Sequence, residues 1–224
     1  MSEQLLDYQS LWSRLEEAYD RIAPIYNDHA ESHRHAGAEA LSAVLQQRFQ
    51  FDLPGVFTAA FDLGCGTGHC GRALKQVAQK LAGVDLSAGM LRQASEQAAE
   101  YDEFIQGNGL AVLSERTGAF PLVAAINVMQ LVEAPDMIFK TICDALPSGG
   151  VLIFNADVNV ESVDNVREWR SGHYRFSPNY IAARLRAAGL ALLYCHFYDD
   201  RLIDLPGGER QPVRSACYMV QKPN

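Results

Sequence analysis

The sequence has no C-x-x-C pair. Its five cysteines, Cys65, Cys70, Cys143, Cys195 and Cys217, are odd in number and widely scattered. That pattern suits free thiols in a reducing compartment and argues against a disulfide framework or a cysteine-based zinc site. Basic residues are also scarce: 19 Lys+Arg stand against 27 Asp+Glu, a formal net charge of −8. Nucleic-acid binding draws most of its affinity from basic side chains that displace counterions, so no nucleic-acid partner is expected. No long hydrophobic run is present. The longest apolar stretch, Pro121 to Val132, is interrupted by Asn127 and Gln130 and falls short of the roughly 18–20 residues of a membrane helix. The start, MSEQLLDYQSLWSRLEE, lacks a basic region followed by an apolar one, so no signal peptide is expected and the chain reads as cytoplasmic. Internal repeats and low-complexity tracts are missing as well.

The 224 residues, 48% hydrophobic and 21% charged, are enough for one core that buries roughly 70–75% of the unfolded surface without metal or disulfide staples. The expectation is therefore a single domain over 1–224, a monomer or homodimer. In the first 50 residues, Leu5, Leu6, Tyr8, Leu11, Trp12 and Leu15, and then Ala38 to Phe49, recur at helical spacing, which predicts a helical cap or lid. From residue 55 short apolar runs alternate with helical segments, the pattern of an α/β fold with a largely parallel sheet. Strands are predicted near 57–62, 80–85, 102–106, 121–127 and 150–155, with helices at about 68–78, 87–100 and 135–145. An irregular polar insert at about 156–177 precedes a helix at 178–188 and two closing strands, 190–198 and 213–221, read as an antiparallel hairpin.

The segment with most chemical content is Phe61-Asp62-Leu63-Gly64-Cys65-Gly66-Thr67-Gly68-His69-Cys70-Gly71, placed where the first strand gives way to a helix. Glycines there allow a tight turn and let a ligand approach helix N-terminal amides. Gly66-x-Gly68-x-x-Gly71 satisfies the dinucleotide fingerprint, so an NAD(P)-dependent oxidoreductase is one reading. The frame Asp62-x-Gly64-x-Gly66-x-Gly68 is another. A carboxylate at Asp62 would repel a pyrophosphate and receive a cationic amino group, which favours a nucleoside that carries an amino acid. The second strand ends in Asp85, 21 positions after Gly64, where an acidic residue can take two ribose hydroxyls. Asn108, between Gly107 and Gly109 after the third strand, offers an amide to an adenine edge.

These residues resemble the class I S-adenosylmethionine-dependent methyltransferases, with Phe61 to Gly68 as the first motif and Val84-Asp85-Leu86-Ser87-Ala88-Gly89-Met90-Leu91 as the second. Tyr19-Asp20-Arg21-Ile22-Ala23-Pro24-Ile25-Tyr26-Asn27 is similar to the family's stretch ahead of the sheet, Phe120 to Val132 to its fourth strand and following loop, and Leu146-Pro147-Ser148-Gly149-Gly150 to the turn before the fifth. The tail Gly172-His173-Tyr174-Arg175-Phe176-Ser177 resembles a small-molecule subgroup similar to the Williams–Beuren-region methyltransferase-like proteins. Three positions depart from the family pattern: Asn108 and Pro121 stand where Asp is usual, and Leu131 where many members carry a histidine.

The resemblance implies a Rossmann-like seven-strand sheet, mostly parallel with an antiparallel last strand, helices on both faces and an N-terminal helical lid. It implies S-adenosylmethionine as cofactor, with S-adenosylhomocysteine as product and a small molecule as methyl acceptor at oxygen, nitrogen or a carboxylate. The cofactor set it implies is Tyr19, Asp62, Gly64, Cys65, Gly66, Gly68, Asp85, Leu86, Met90, Asn108, Gly109 and Asn127. Acceptor contacts are expected from Tyr26, Gln130, Tyr174 and Arg175. If the acceptor needs a base, Tyr26, His29 and His173 are the candidates. His29, His33 and His35 with Glu31 have the spacing of metal ligands, yet this segment reads better as a polar lid, and no metal is expected. A non-catalytic protein of the same fold that binds the cofactor is the remaining alternative.

Overall fold

The computed structural model describes residues 3–97, 100–159, 166–170 and 173–224. Three helices come first: α1 (Glu3–Ile22), α2 (Tyr26–Ser32) and α3 (Gly37–Gln46). The sheet region follows, with β1 (Phe57–Leu63), α4 (Gly71–Lys75), β2 (Ala78–Asp85), α5 (Ala88–Glu96), β3 (Glu103–Gln106), α6 (Gly109–Glu115), β4 (Leu122–Ala125), α7 (Asp136–Ala145) and β5 (Val151–Asp157). A two-stranded hairpin of β6 (Val166–Arg170) and β7 (His173–Phe176), then α8 (Pro178–Ala187), β8 (Ala191–Asp204) and β9 (Arg210–Gln221), complete the chain.

The seven-stranded sheet has the order β3-β2-β1-β4-β5-β9-β8. β1 to β5 are parallel, β9 is antiparallel to β5, and β8 is antiparallel to β9, so β9 alone runs against the others. Strand order reverses between β1 and β4, and the crevice outside the carboxyl ends at such a switch point is where open α/β sheets bind ligands. Burial on both faces explains the apolar strands. Along β4, Val123 and Ala125 pack with Phe61, Phe139, Phe154 and Leu185 on one side. Leu122 and Ala124 pack with Leu41, Val44, Leu74 and Ile153 on the other, as the two-residue period of a strand requires.

Several predicted spans change. The helix expected at 68–78 is confined to 71–75, because Gly64, Gly66 and Gly68 all take positive φ and keep the chain in a loop. Ser87 ends the next loop by capping α5, its hydroxyl accepting the Met90 amide at 3.0 Å. The insert read as irregular contains the β6–β7 hairpin. Its centre, Gly172 of the tail motif and residues 98–99 of the helix expected at 87–100 lie outside the described residues. The two closing strands run well beyond 198 and start before 213, forming a long ribbon with register shifts at Leu192/Tyr194 and Asp199/Arg201. All five cysteines are free. Among the described residues no helix is long and apolar enough to cross a membrane.

Candidate active site

The glycine loop leaves β1 and turns back over the carboxyl end of the sheet. Gly64 has φ +71°, and a Cβ there would come within 2.8 Å of the Val128 side chain, so both backbone angle and space demand glycine. The Gly66 amide donates to Asp85 Oδ2 at 2.9 Å, while the Ser87 amide donates to Oδ1 at 2.9 Å. Asp85 is thereby held at the tip of β2, its pKa raised by burial. Beyond it opens a cavity of about 830 Å³ with largely apolar walls, among them Leu86, Met90, Leu110 and Val128, closed from above by Trp12, Leu15 and Tyr19 of α1. Asn108 stands at its far end. Its Oδ1 accepts the Leu110 and Ala111 amides at 3.0 and 3.4 Å and caps α6, so the group it turns toward a ligand is Nδ2.

A second cavity, about 1020 Å³, lies across the loop and is lined by Asp62, Cys65, Thr67, Cys70, Arg34 and His35 among others. Gly64 and Gly66 border both. Asp62 is fully buried beneath the loop and accepts a hydrogen bond from the Tyr101 phenol. Burial drives its pKa up to about 7, against the opposing effect of that hydrogen bond.

The third cavity, about 1290 Å³, has a different chemistry. Tyr19, Tyr26, His29, His33, His35, Gln130, His173 and Arg201 line it, with Ile22 and Ile25 at its rim. Burial lowers the pKa of His29 and of His173, and takes that of His35 down to about 4. The Tyr26 phenol is pushed up to about 12 by burial. Arg201 reaches Asp157 at 2.6 Å and Asp200 at 2.6 Å, both carboxylates fully buried. His29 and His33 stack at 4.0 Å, and His33 Nε2 lies 3.2 Å from Asp204. Two buried polar atoms in this wall, Gln130 Oε1 and His35 Nε2, have no hydrogen-bond partner. Tyr19, Tyr26 and Asn127 border the first and third cavities alike.

Residues 60–150 match the family described as a methyltransferase domain. Over 155 residues, 69% of this chain, the sequence is 30% identical to the malonyl-[acyl-carrier protein] O-methyltransferase of Enterobacter lignolyticus (strain SCF1), and the match spans 57% of that protein. Among solved structures, an S-adenosylmethionine-dependent methyltransferase from Clostridium acetobutylicum ATCC 824 superposes with a TM-score of 0.62 at 17% identity, covering 92% of this chain and 100% of the other. The chain carries a methyltransferase domain and has the fold of S-adenosylmethionine-dependent methyltransferases. The same fold carries other names too: the [4+2]-cyclase SpnF superposes with a TM-score of 0.73 at 17% identity, covering 95% of this chain and 97% of the other.

S-adenosylmethionine is the cofactor named for structures of this fold, and the residues of this chain fit it. A cavity with largely apolar walls suited to a flat base includes Asp85, a largely buried carboxylate suited to paired hydroxyls, and the glycine loop lines it beside that carboxylate. Of the residues the sequence assigned to the cofactor, Tyr19, Gly64, Gly66, Asp85, Leu86, Met90, Asn108, Gly109 and Asn127 line the first cavity. Asp62 and Cys65 face the second cavity instead. Gly68 lies deeper in the turn, its amide bonded to the Cys65 carbonyl at 2.9 Å. Tyr26, His29, Gln130 and His173 come together in the third cavity. Tyr174 packs against the core cluster, and neither it nor Arg175 lines any of the three.

Sequence reasoning missed Trp12 and Leu15, whose helical stripe reads as simple packing. It also missed Arg201, and it read His35 only as part of a polar lid. Gly37 was the available signal for the α3 entrance, since a Cβ there would meet Ile126 at 2.7 Å.

Proposed function

We propose that the protein transfers a methyl group from S-adenosylmethionine to a small-molecule acceptor bound among Tyr26, His29, Gln130 and His173. The observation that carries this reading is the junction at Tyr19, Tyr26 and Asn127, where the apolar, Asp85-bearing cavity meets the polar, histidine-lined one. The match to an O-methyltransferase supports oxygen as the atom methylated.

When bound, the cofactor supplies an electrophilic methyl group on a sulfonium, so no covalent protein nucleophile is needed. The work of the chain is alignment in a site from which water is excluded. Asp85 takes the ribose hydroxyls, Leu86 and Met90 flank the base, and Trp12, Leu15 and Tyr19 of α1 close the slot. Gln130 Oε1 accepts a hydrogen bond from the acceptor. His29 and His173, both held below the ordinary histidine pKa by burial, stand neutral near pH 7 and can take a proton from a hydroxyl. Tyr26, at about 12, keeps its proton and serves as a hydrogen-bond donor. A carboxylate acceptor would need no base at all.

Isothermal titration with S-adenosylmethionine and S-adenosylhomocysteine, with NAD and NADP as controls, tests the cofactor. Binding of the sulfur nucleosides alone supports the proposal; binding of a nicotinamide in their place rejects it. Asp85→Ala is expected to weaken S-adenosylhomocysteine binding by about 1–3 kcal/mol, the range for hydrogen bonds to a charged group. Unchanged affinity in a folded variant would remove Asp85 from the ribose.

A further inference from the structure

The chain leaves β4 through Ile126 and Asn127, and Asn127 has φ +61°, a left-handed conformation that side chains other than glycine rarely adopt. Glycine serves that purpose in the facing loop, at Gly64 and Gly66, but not here. Asn127 is nonetheless held firmly. Asn155, fully buried on the neighbouring strand β5, accepts the Asn127 amide through Oδ1 at 2.6 Å and donates from Nδ2 to Asn127 Oδ1 at 2.8 Å. A backbone N–H can meet only an oxygen, so the orientation of the Asn155 carboxamide is fixed. Its Nδ2 also donates to the Tyr198 phenol oxygen at 2.8 Å, from β8. On the opposite side, the missing side chain of Gly37 lets α3 lie against Ile126 and Asn127.

Held in this way, Asn127 borders all three cavities, a place it shares only with Tyr26 among the described residues lining them. A strained residue that its surroundings over-determine, located at a site, points to a functional use of the strain. We infer that Asn155 is a positioning residue. It fixes Asn127 in the left-handed turn that forms the common wall of the cofactor and acceptor cavities, and Tyr198 steadies Asn155 in turn. The inference rests on the methyltransferase reading of those cavities.

The test uses a glycine at position 127, which adopts the same turn readily by itself; it loses the side-chain bond to Asn155 Nδ2 and keeps only the backbone amide bond to Oδ1. S-adenosylhomocysteine is titrated calorimetrically into the full chain, the Asn155→Ala and Asn127→Gly variants and the double variant, with melting temperatures measured in parallel. Asn155→Ala is expected to weaken binding roughly tenfold in the parent, and by less than about twofold when glycine occupies 127, the non-additivity of residues that act through one another. Equal losses in the two backgrounds would assign Asn155 a general packing role and overturn the inference, as would no loss in the parent. Abolished binding in Asn127→Gly would overturn it too, since the Asn127 side chain and not its conformation would then carry the contribution. If Asn155→Ala does not fold, Tyr198→Phe removes only the hydroxyl that accepts from Asn155, and the same comparison of backgrounds applies. A parent chain that binds no S-adenosylhomocysteine would instead overturn the cofactor reading itself.

Discussion

Asp62 illustrates how far a single residue can be read. Its place at the end of β1, ahead of the glycines, suggested a carboxylate in direct reach of an amino group. In the fold it lies beneath the loop, with the Tyr101 phenol donating to it. The Tyr101 ring occupies a slot left by two glycines, since a Cβ at Gly71 or Gly83 would come within 2.7 Å of it. Glycine inside a strand often marks such a close approach, and Gly83 was the clue in the sequence. The consequence is a pH effect of definite sign. The unfolded carboxyl titrates near 3.8 and the folded one near 7, so between these values the native state holds a proton that the unfolded state has released. That contribution to stability diminishes as pH rises through the window. Asp62→Asn keeps a partner for Tyr101 and removes the titration. Urea denaturation from pH 4.5 to 7 is expected to show the variant gaining on the parent as pH rises; a constant difference would refute the buried, protonated Asp62. His35 acts in the opposite sense. Its pKa falls from 6.5 to about 4 on folding, so its contribution is lost as pH drops below 6.5, and the comparison of two chains that both carry His35 cancels it.

At the scale of elements, Asp20 ties the lid α1 to the start of α5. Asp20 Oδ1 accepts the Gly89 amide at 2.8 Å and the Ser87 hydroxyl, at the N-terminus of α5, where an anion also meets the favourable end of the helix dipole. The same turn of α1 presents Tyr19 to the first cavity. Asp20→Ala is expected to leave the fold intact and speed S-adenosylhomocysteine dissociation several-fold in stopped-flow fluorescence, at a stability cost of about 1 kcal/mol typical of a lost cap. An unchanged off-rate would show that α1 stays closed without the latch. Helix α1 was legible from its apolar stripe, and the strands from their runs and turn residues. Helix α6 was not, because it is only seven residues long and Gly107-Asn108-Gly109 reads as a ligand loop, when Asn108 is equally its cap. The far halves of β8 and β9 were hidden as well: Asp199-Asp200-Arg201 looks like a solvated loop until pairing with β9 lets the Arg201 side chain reach Asp157 at the end of β5.

For the molecule as a whole, that ribbon matters most. It carries Arg201 across the end of the sheet to Asp157 on β5, and the Asp200 carbonyl accepts the Ala36 amide at 2.7 Å just before α3. Three distant parts of the chain thus meet around one guanidinium that also lines the histidine-rich cavity. Arg201 and Asp157 are 44 residues apart, and no local pattern announces their pairing. Replacing the arginine leaves two carboxylates buried without their cation, and Arg201→Met is expected to cost about 3–5 kcal/mol in urea denaturation, with part of the loss recovered at acid pH as Asp200, whose pKa burial already raises, takes up a proton. A loss below about 1 kcal/mol would show that the charges are solvated in the native state. The order of strands and the position of the site at the switch point follow from the alternation of elements along the sequence; the acceptor side depends on contacts such as these and could not be read in the same way.

The ribbon also leaves β8 as the outer strand of the sheet, fourteen residues long with Leu192 and Phe197 exposed. A straight edge of that length is a template on which a strand from another molecule can grow. The two register shifts, at Leu192/Tyr194 and Asp199/Arg201, break it into short pieces with differing twist, and the charged run from Asp199 to Arg201 sits at the second break. Protection against edge-to-edge aggregation is therefore built into the strand that delivers Arg201, and a variant that straightened the bulge at Leu192/Tyr194 would endanger solubility.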